Sequence, residues 1–360
     1  MNLGAIFRKL ATKEGSPLKT SLVGYTQDEL TQLVLSLGEK KFRAKQLFEW
    51  IYQKGARSFD DMTNLSQSFR NTLESHFTLR TFEKVEETDI GDAVKYLWKL
   101  HDGQMIESVL MPSENRITVC ISSQVGCAVD CQFCATGRMG FIRQLSVGEI
   151  VEQILNISDK FADRVSNIVF MGMGEPFLNY DNVIKAAHLL HNPDAFGIST
   201  RKITISTSGI LPKIYQYADE EQPFRFAISL NDVSQVRREK SMPISKKWPI
   251  SDLIKAAKHY TKKTGNRITF EYVMVKGSNI AKEDADVLMK LTDSINCKIN
   301  LIPCNTDLPE YPRPSEAEVE DFMEHLKKSQ RPVLLRKTRG RNIDAACGML
   351  HNKITENTNL

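Results

Sequence analysis

Three cysteines on one short stretch, Cys127, Cys131 and Cys134, have the residue type and spacing to bind a metal. They stand in the run Gly126-Cys-Ala-Val-Asp-Cys-Gln-Phe-Cys134, whose spacing is C-x3-C-x2-C. A thiolate is a strong metal ligand, and three of them at this spacing on one loop form a specific signal. The sequence therefore predicts a metal site on this loop.

Two kinds of metal site use thiolates at such spacing. A structural zinc site needs a fourth nitrogen or sulfur ligand, and no histidine lies between Cys127 and Gln144. Cys120 is a candidate for that ligand, although it lies on the preceding predicted strand. A four-iron four-sulfur (4Fe-4S) cluster held by three thiolates instead leaves one iron open to a small ligand. The sequence favours the cluster over zinc.

The cysteine spacing, with the aromatic Phe133 directly before Cys134, resembles the radical-SAM superfamily. The resemblance implies that Cys127, Cys131 and Cys134 hold a 4Fe-4S cluster whose open iron binds S-adenosylmethionine (SAM). In that superfamily the reduced cluster passes one electron to the sulfonium group of SAM and releases a deoxyadenosyl radical. The implied chemistry is hydrogen abstraction.

Further segments resemble one family in that superfamily, the RlmN/Cfr family of RNA adenine methyltransferases. The resemblance runs from about residue 25 to residue 350, and the closing Asp344-Ala-Ala-Cys-Gly348 is its most specific part. The other matching segments are residues 120–127, 172–176, 206–209, 226–230, 270–274, 301–305 and 336–340.

The resemblance gives Cys347 the role of methyl carrier, with two SAM molecules used per turnover. Its thiolate takes a methyl group from one SAM, and the radical made from the second SAM abstracts hydrogen from that methyl group. The methylene radical then adds to adenine, and Cys120 attacks the Cys347 sulfur to release the product through a transient disulfide. Glu107 matches the family's proton acceptor. The alternative for Glu107 is an exposed residue at a strand edge.

The resemblance also implies a set of SAM contacts. These are Gly174, Glu175, Ser206, Ser229, Leu230, Asn231 and Asn305. Glycines in residues 172–176 let the backbone approach a ligand, and the Glu175 carboxylate is expected to accept hydrogen bonds from SAM. Asn231 departs from the family, which usually has histidine there, so any role of an imidazole at this position is in doubt.

Alternating elements must position these residues. Six apolar, β-branched runs are separated by amphipathic helical stretches, and they are residues 117–121, 168–171, 203–206, 226–230, 268–275 and 299–302. Strands that alternate with helices predict an α/β fold with a parallel sheet, which the resemblance makes a radical-SAM partial (βα)6 barrel. The site is then expected at the C-terminal ends of the strands.

Five parts are predicted along the chain. They are an N-terminal extension (1–24), a small helical accessory domain that binds RNA (25–80), a connecting segment with short strands (81–112), the radical-SAM core with the carrier-cysteine loop (113–350) and a polar tail (351–360). In the helical domain, a Thr26 capping box begins a helix, and Phe48, Trp50 and Ile51 are expected in the core.

Two groups of basic residues are candidates for RNA contact, with solvated surface charge as the alternative for each. They are Lys40, Lys41, Arg43, Lys45, Lys54 and Arg57, and then Arg331, Arg336, Lys337, Arg339 and Arg341. The net charge of +4 is compatible with a polyanionic partner without requiring one.

The bulk composition limits the class of protein. A hydrophobic content of 41% suits a globular protein, and no run approaches the roughly 18 apolar residues of a membrane span. Seven cysteines, an odd number without regular spacing, indicate a reducing compartment. We expect a cytoplasmic monomer without membrane contact, with an organelle transit peptide in residues 1–21 as the alternative.

The expected reaction is methylation of adenine C2 in 23S ribosomal RNA, and in transfer RNA, with an electron donor such as flavodoxin. C2 is favoured over the C8 of Cfr-type members because the helical front end and the closing motif look closer to RlmN. Two other hypotheses are a non-catalytic iron–sulfur or zinc protein that binds RNA, and a radical-SAM activase that acts on a glycyl residue of a protein.

Overall fold

The structure, a computed structural model, describes residues 19–158 and 165–351. Most of the expected N-terminal extension and nearly all of the expected polar tail lie outside the described residues. The chain divides into two compact units, Met1–Thr81 and Phe82–Leu360. This boundary falls one residue beyond the predicted end of the helical domain.

From residue 19 onward, the part of the first unit that the structure describes contains three α-helices and a short parallel strand pair. These elements are α1 (Gln27–Ser36), α2 (Phe42–Tyr52), α3 (Gln67–His76), β1 (Thr20–Ser21) and β2 (Phe77–Thr78). α1 begins at the predicted capping box, where Glu29 N donates to Thr26 Oγ1 at 3.2 Å and Thr26 N donates to Glu29 Oε2 at 2.7 Å. Phe48 and Ile51 lie in the core, whereas Trp50 is partly exposed.

Twelve strands of the described residues belong to the second unit. They are β3 (Glu83–Asp89), β4 (Val94–Lys99), β5 (Met105–Ser113), β6 (Arg116–Cys120), β7 (Gln124–Gly126), β8 (Phe141–Gln144), β9 (Asn167–Phe170), β10 (Ile203–Thr207), β11 (Arg225–Ser229), β12 (Ile268–Met274), β13 (Cys297–Pro303) and β14 (Val333–Leu335). β7 and β8 form an antiparallel hairpin, and the others form one sheet in the order β14-β13-β12-β11-β10-β9-β6-β5-β4-β3.

The helices of this unit connect the parallel strands. They are α4 (Ala135–Arg138), α5 (Val147–Ser158), α6 (Tyr180–His191), α7 (Leu211–Asp219), α8 (Gln235–Ser241), α9 (Ile250–Thr264), α10 (Lys282–Thr292) and α11 (Glu316–Leu326). The six predicted strand runs correspond to β6 and to β9 through β13, all paired in parallel. The predicted α/β fold is therefore confirmed, with β14 as a further parallel strand beside β13.

The predicted connecting segment, residues 81–112, contributes strands to the main sheet. β3, β4 and β5 pair antiparallel with one another, and β5 pairs with β6, so that they extend the main sheet. The outer strand β3 is largely exposed and rich in charge, with the sequence Glu-Lys-Val-Glu-Glu-Thr-Asp. Because its sequence lacks an alternating apolar face, its strand character comes from pairing with β4.

In the described part of the chain, no helix has both the length and the apolar composition that crossing a membrane would require.

Candidate active site

A cavity of about 180 Å³ lies at the C-terminal ends of the parallel strands. Most of the predicted site residues line it, namely Cys120, Cys127, Cys131, Cys134, Gly174, Glu175, Ser206, Ser229, Asn231, Asn305 and Cys347. Leu230 and Glu107 are not among its lining residues. The fold thus gathers thiols from the cysteine loop, from the end of β6 and from the C-terminal segment around one space.

Backbone contacts close the cysteine loop at its base. Cys127 N donates to Gly140 O at 2.8 Å, and Cys134 N donates to Cys131 O at 3.0 Å. Gly126, with φ +72°, packs closely against Gly140, the residue just before β8. A Cβ added at Gly126 would be 1.9 Å from Gly140 O. Only glycine fits this crossing without a shift of the backbone.

The donor set of this loop fits an iron–sulfur cluster. Negative charge on Cys127 or Cys134 would raise the pKa of the Cys131 thiol, and all three cysteines are partly exposed and line the cavity. Among the described residues, no three side chains of His, Cys, Asp or Glu converge closely enough to hold a single metal ion. A cluster does not require such convergence, because each thiolate binds a different iron atom. Burial raises the pKa of Cys127 to about 12, so that a cationic metal is needed to stabilise its thiolate form.

Cys347 lines the cavity together with the cysteine loop and Cys120. Its side chain is exposed and lines the cavity, and it interacts electrostatically with Cys134 and Arg336. Cys120, at the end of β6, is buried and interacts with Cys347, and burial raises its pKa to about 12. Cys120 is thus associated with Cys347 rather than with the loop thiols, and it is poorly suited to serve as a fourth zinc ligand.

Two hydrogen bonds hold the segment around Cys347 against the cysteine loop. Ala135 N donates to Gly348 O at 2.7 Å, and Thr136 Oγ1 donates to Leu350 O at 2.5 Å. Both donors come from α4, which begins directly after Cys134. These two hydrogen bonds therefore hold the methyl-carrier candidate, Cys347, next to the cysteine loop.

Glu107 lies on β5 and is only 1% exposed, which contradicts the alternative of an exposed residue at a strand edge. Its Oε1 is 3.4 Å from Lys95 Nζ, and its Oε2 accepts a hydrogen bond from His351 N at 2.9 Å. In this conformation Glu107 anchors the chain just beyond Cys347. It does not face the cavity as a proton acceptor would.

The segment after β9 is tightly packed. Gly174 has φ +100°, and a Cβ there would be 2.6 Å from Gln124 Cβ, so that glycine is required. The buried Glu175 carboxylate accepts hydrogen bonds from Phe177 N at 2.9 Å and from Ser208 N and Oγ at 2.7 Å each. These bonds oppose the rise in the pKa of Glu175 that burial causes. They also use three of the about four acceptor positions of the carboxylate.

Asn231 has a left-handed backbone, with φ +57°. Its Oδ1 accepts a hydrogen bond from Val273 N at 3.1 Å, and its N donates to Glu271 O at 3.1 Å, so that it joins the end of β11 to β12. Asparagine and histidine are both enriched in this backbone region, which explains how asparagine fits where the family usually has histidine. The neighbouring Leu230 side chain is buried away from the cavity.

Asn305 is oriented by two neighbours. Its Oδ1 accepts hydrogen bonds from Arg313 Nη1 at 2.6 Å and from Thr338 Oγ1 at 3.2 Å. Its amide nitrogen donates to Cys347 O at 3.4 Å. With the oxygen engaged, the amide offers a donor rather than an acceptor to the cavity.

The sequence interpretation gave Glu271 no role and gave Arg336 only a candidate role in RNA contact, yet both are charged residues of the cavity wall. Glu271 is buried on β12, and its Oε2 accepts a hydrogen bond from Asn300 Nδ2 at 2.7 Å. Arg336 follows β14 and interacts electrostatically with Cys347, Glu271 and Cys120. The signal for Glu271 was a carboxylate inside the apolar run of residues 268–275. Arg336 was visible as one member of a basic cluster and as the first residue of the matching segment 336–340.

Family models match both units. The model described as "Ribosomal RNA large subunit methyltransferase N-terminal domain" matches residues 20–79, and the model described as "Radical SAM superfamily" matches residues 121–290. The second match implies a 4Fe-4S cluster and SAM as cofactors.

Individual proteins are similar over nearly the whole chain. A "Probable dual-specificity RNA methyltransferase RlmN" of Geobacillus kaustophilus is 43% identical and covers 94% of this chain and 94% of its own. A protein with the same description from Flavobacterium johnsoniae is 40% identical, over 94% of this chain and 99% of its own. The crystal structure of a radical SAM methyltransferase from Sphaerobacter thermophilus has a TM-score of 0.89 and 38% identity, over 93% of this chain and 100% of that one.

Proposed function

Because this chain belongs to the RlmN family of radical-SAM RNA methyltransferases, we propose that it methylates C2 of adenine in ribosomal and transfer RNA through a methyl group carried on Cys347. One observation carries the proposal for the residues. Cys347 lines the same cavity as Cys127, Cys131, Cys134 and Cys120. Carrier, cluster ligands and resolving thiol are thus within one space.

Cys127, Cys131 and Cys134 hold the 4Fe-4S cluster in this proposal. Their shared loop and their common position on the cavity wall support it. SAM bound to the reduced cluster supplies a deoxyadenosyl radical, which abstracts hydrogen. Gly174, with its close backbone, and the donor amide of Asn305 bind SAM together with the rest of the set, which is Glu175, Ser206, Ser229, Leu230 and Asn231. Leu230 takes part through its backbone only, because its side chain is buried.

Cys347 and Cys120 perform the sulfur chemistry. The Cys347 thiolate forms a bond to the methyl carbon of a first SAM, whose sulfonium sulfur leaves with its electron pair. A second SAM, cleaved at the reduced cluster, would remove one hydrogen atom from this S-methyl group; the carbon would then add to adenine C2, and the adduct would lose the C2 proton and return one electron to the oxidised cluster. The Cys120 thiolate then attacks the Cys347 sulfur, so that an S–S bond forms while the S–CH2 bond breaks, and the carbon keeps the electron pair of that bond and takes up a proton to complete the methyl group. The electrostatic interaction between the two cysteines supports this pairing.

Glu107 is proposed as the acceptor of the C2 proton, and this assignment requires a rearrangement. In the described conformation its Oε2 is engaged by His351 N. The carboxylate reaches the substrate when that backbone contact opens, which also releases the chain beyond Cys347. Its Oε1 is paired with Lys95 Nζ at 3.4 Å.

The helical first unit is proposed as an accessory RNA-binding domain. Lys40, Lys41 and Lys45 are exposed near α2, and Phe42 is exposed beside Arg43, whose guanidinium lies 4.9 Å from the ring centroid. Phosphates suit such cations, and an unstacked base suits such a ring. The target adenine must leave its stack to enter the cavity, which favours an unfolded or single-stranded region of RNA.

The surroundings of the enzyme complete the proposal. All seven cysteines lie in the described residues, and none of them forms a disulfide bond. This supports a reducing compartment such as the cytoplasm. A one-electron donor such as flavodoxin reduces the cluster. The enzyme acts as a monomer in this proposal, because each chain contains both the carrier and the resolving cysteine.

The test is mass spectrometry of adenosines in unmodified RNA after incubation with anaerobically reconstituted protein, SAM and a reductant. We expect 2-methyladenosine from the native chain, none from Cys347→Ala, and the native amount from Cys297→Ala, which removes a buried cysteine outside the cavity. Detection of 8-methyladenosine would replace C2 with C8. SAM cleavage without any methylation of RNA would refute the proposal.

A further inference from the structure

Glu271 is a buried carboxylate in the cavity wall to which the proposed chemistry gives no role. It lies in the middle of β12 and is only 6% exposed. Its Oε2 accepts a hydrogen bond from Asn300 Nδ2 at 2.7 Å. Among the described residues, Oε1 has no hydrogen-bond or ion-pair partner, and yet this oxygen is not fully buried. Oε1 therefore opens onto the cavity that Glu271 lines.

The register of the sheet directs the Glu271 side chain into the site. Glu271 pairs with Ser229 on β11 and with Asn300 on β13. Residues that pair across neighbouring strands project from the same face of a sheet, and both Ser229 and Glu271 line the cavity. Asn300 thus fixes the carboxylate from one side, while the second oxygen faces the space for a ligand.

Arg336 provides a hydrogen-bond donor on the same face. Asn300 pairs with Leu334 on β14, and Arg336 comes two residues later, so its side chain projects from that face as well. Arg336 N continues the ladder by donating to Leu301 O at 2.9 Å. Among the described residues, the guanidinium forms no ion pair, and its one side-chain hydrogen bond joins Nη1 to Met171 Sδ at 3.7 Å. The wall therefore offers a ligand both an acceptor and a donor.

The Watson–Crick edge of adenine complements these two groups. Its exocyclic amino group is a donor, and the adjacent ring nitrogen N1 is an acceptor, whereas guanine has an oxygen and an N–H at the same two positions. A buried carboxylate oxygen without a donor is destabilising, and an amino group of a bound base would satisfy it. Guanine would instead place its oxygen against the carboxylate.

We propose that Glu271 accepts a hydrogen bond from the exocyclic amino group of the target adenine and thereby selects this base, with Arg336 donating to N1. The inference rests on the proposed function, which brings the adenine into this cavity. C2 is bonded to N1, whereas C8 lies at the opposite end of the purine. A base held in this way has C2 on the side of Arg336, which interacts with Cys347. The proposal therefore favours C2 over C8.

The test compares an RNA fragment that carries the target adenine with one that carries purine, which lacks the amino group but keeps C2–H. We expect purine to lower kcat/KM of the native chain at least tenfold, because the carboxylate is then left without its donor. In Glu271→Ala the two RNAs should react with similar kcat/KM. Glu320→Ala removes an exposed carboxylate of α11 and should keep the native ratio.

A second variant tests the acceptor without a cavity. Glu271→Gln can place an amide donor toward the base, so the preference for adenine over hypoxanthine, which has an oxygen in place of the amino group, should fall at least tenfold. Far-ultraviolet circular dichroism and iron content show whether each variant folds and is loaded.

SAM carries the same amino group, so SAM affinity is measured in parallel by equilibrium dialysis, and we expect the native value in both variants. A native adenine-to-purine ratio in Glu271→Ala or, if that variant does not fold, a native adenine-to-hypoxanthine ratio in Glu271→Gln would overturn the inference. Weakened SAM binding with unchanged base ratios would also overturn it, because the carboxylate would then bind SAM. Failure of the native chain to methylate RNA would instead refute the proposed function.

Discussion

Arg336 influences the ionisation of Cys347 and Cys120, the two thiols of the proposed sulfur chemistry, because it interacts electrostatically with both. Although Cys347 is exposed at the cavity, desolvation by the surrounding wall raises the pKa of its thiol, and the guanidinium opposes that rise. Only the thiolate accepts a methyl group or attacks a sulfur. The wall of the cavity therefore controls how much of Cys347 is reactive at a given pH.

We predict that Arg336→Gln raises the pKa of Cys347 further. Below the pKa, the thiolate fraction falls tenfold for each unit of increase. Alkylation of Cys347 by iodoacetamide at pH 8, followed by mass spectrometry in a Cys120→Ala background, should slow by about tenfold. The pH profile of the alkylation rate of Cys347 should move to higher pH. Lys337→Gln removes an exposed neighbouring cation and serves as the control. Equal rates in both variants would contradict the role of Arg336.

Asn231 yields a prediction about backbone strain. At φ +57°, Asn231→His should change the free energy of unfolding by less than about 1 kcal/mol, since histidine tolerates this region. Asn231→Val should lower it by about 1–3 kcal/mol, because a β-branched residue is strained there. Urea unfolding of the reconstituted protein measures both. A valine variant as stable as the histidine variant would show that the backbone conformation is not the constraint.

Single residues differ in how far the sequence reveals them. The cysteines could be found from spacing, and Cys347 from its motif. Glu271 is a charge inside an apolar strand, a pattern that signals a site without giving its role. Arg238 stands in the run Arg237-Arg238-Glu239-Lys240, which looks like an exposed helix face, and only tertiary packing shows that it is buried.

Among the elements, the β7–β8 hairpin determines the path of the cysteine loop. Gly126→Ala should lower the free energy of unfolding by about 3 kcal/mol and reduce the iron bound after reconstitution, because the new Cβ clashes with Gly140 O. Gly140→Ala has a similar φ, +77°, but meets nothing within 4 Å, so it should cost about 1 kcal/mol and keep iron. Urea unfolding and iron analysis test the pair. Equal losses in both variants would refute the steric explanation.

The elements of the α/β unit were predictable where a strand is buried on both faces. β9 to β13 are short apolar runs flanked by helices, and this pattern is typical of a parallel sheet. β3 to β5 were not recognised as part of the main sheet, because their pairing depends on contacts between strands. The exposed sequence of β3 contains no periodic signal that would indicate such contacts.

On the scale of the whole molecule, the first unit is expected to increase RNA affinity through phosphate contacts. Lys41→Glu should weaken binding of a ribosomal RNA fragment and reduce the steepness of its salt dependence. Lys258→Glu, which reverses an exposed charge on α9 of the second unit, is the matched control. Fluorescence anisotropy at several salt concentrations measures both effects. An unchanged salt slope in Lys41→Glu would remove this residue from the interface.

Charge clusters read from the sequence gave less reliable guidance than motifs did. Of the C-terminal basic group, Arg341 forms an ion pair with Asp307, Arg339 donates to Ser113 Oγ, and Arg336 faces the cavity thiols. One cluster in sequence therefore divides into separate structural roles. Charge in a sequence does not indicate whether a side chain points to solvent, to a partner or to the interior.

The hydrogen bonds that join α4 to the segment around Cys347 constrain how the protein is made. Thr136 and Leu350 are 214 residues apart in the chain, and Glu107 and His351 are 244 apart. While the ribosome is still synthesising residues between them, the cysteine loop is complete but its cavity is not closed. The nascent thiols are then open to competing metals and oxidants. Delivery of the cluster must therefore be timed against translation, or follow release of the chain.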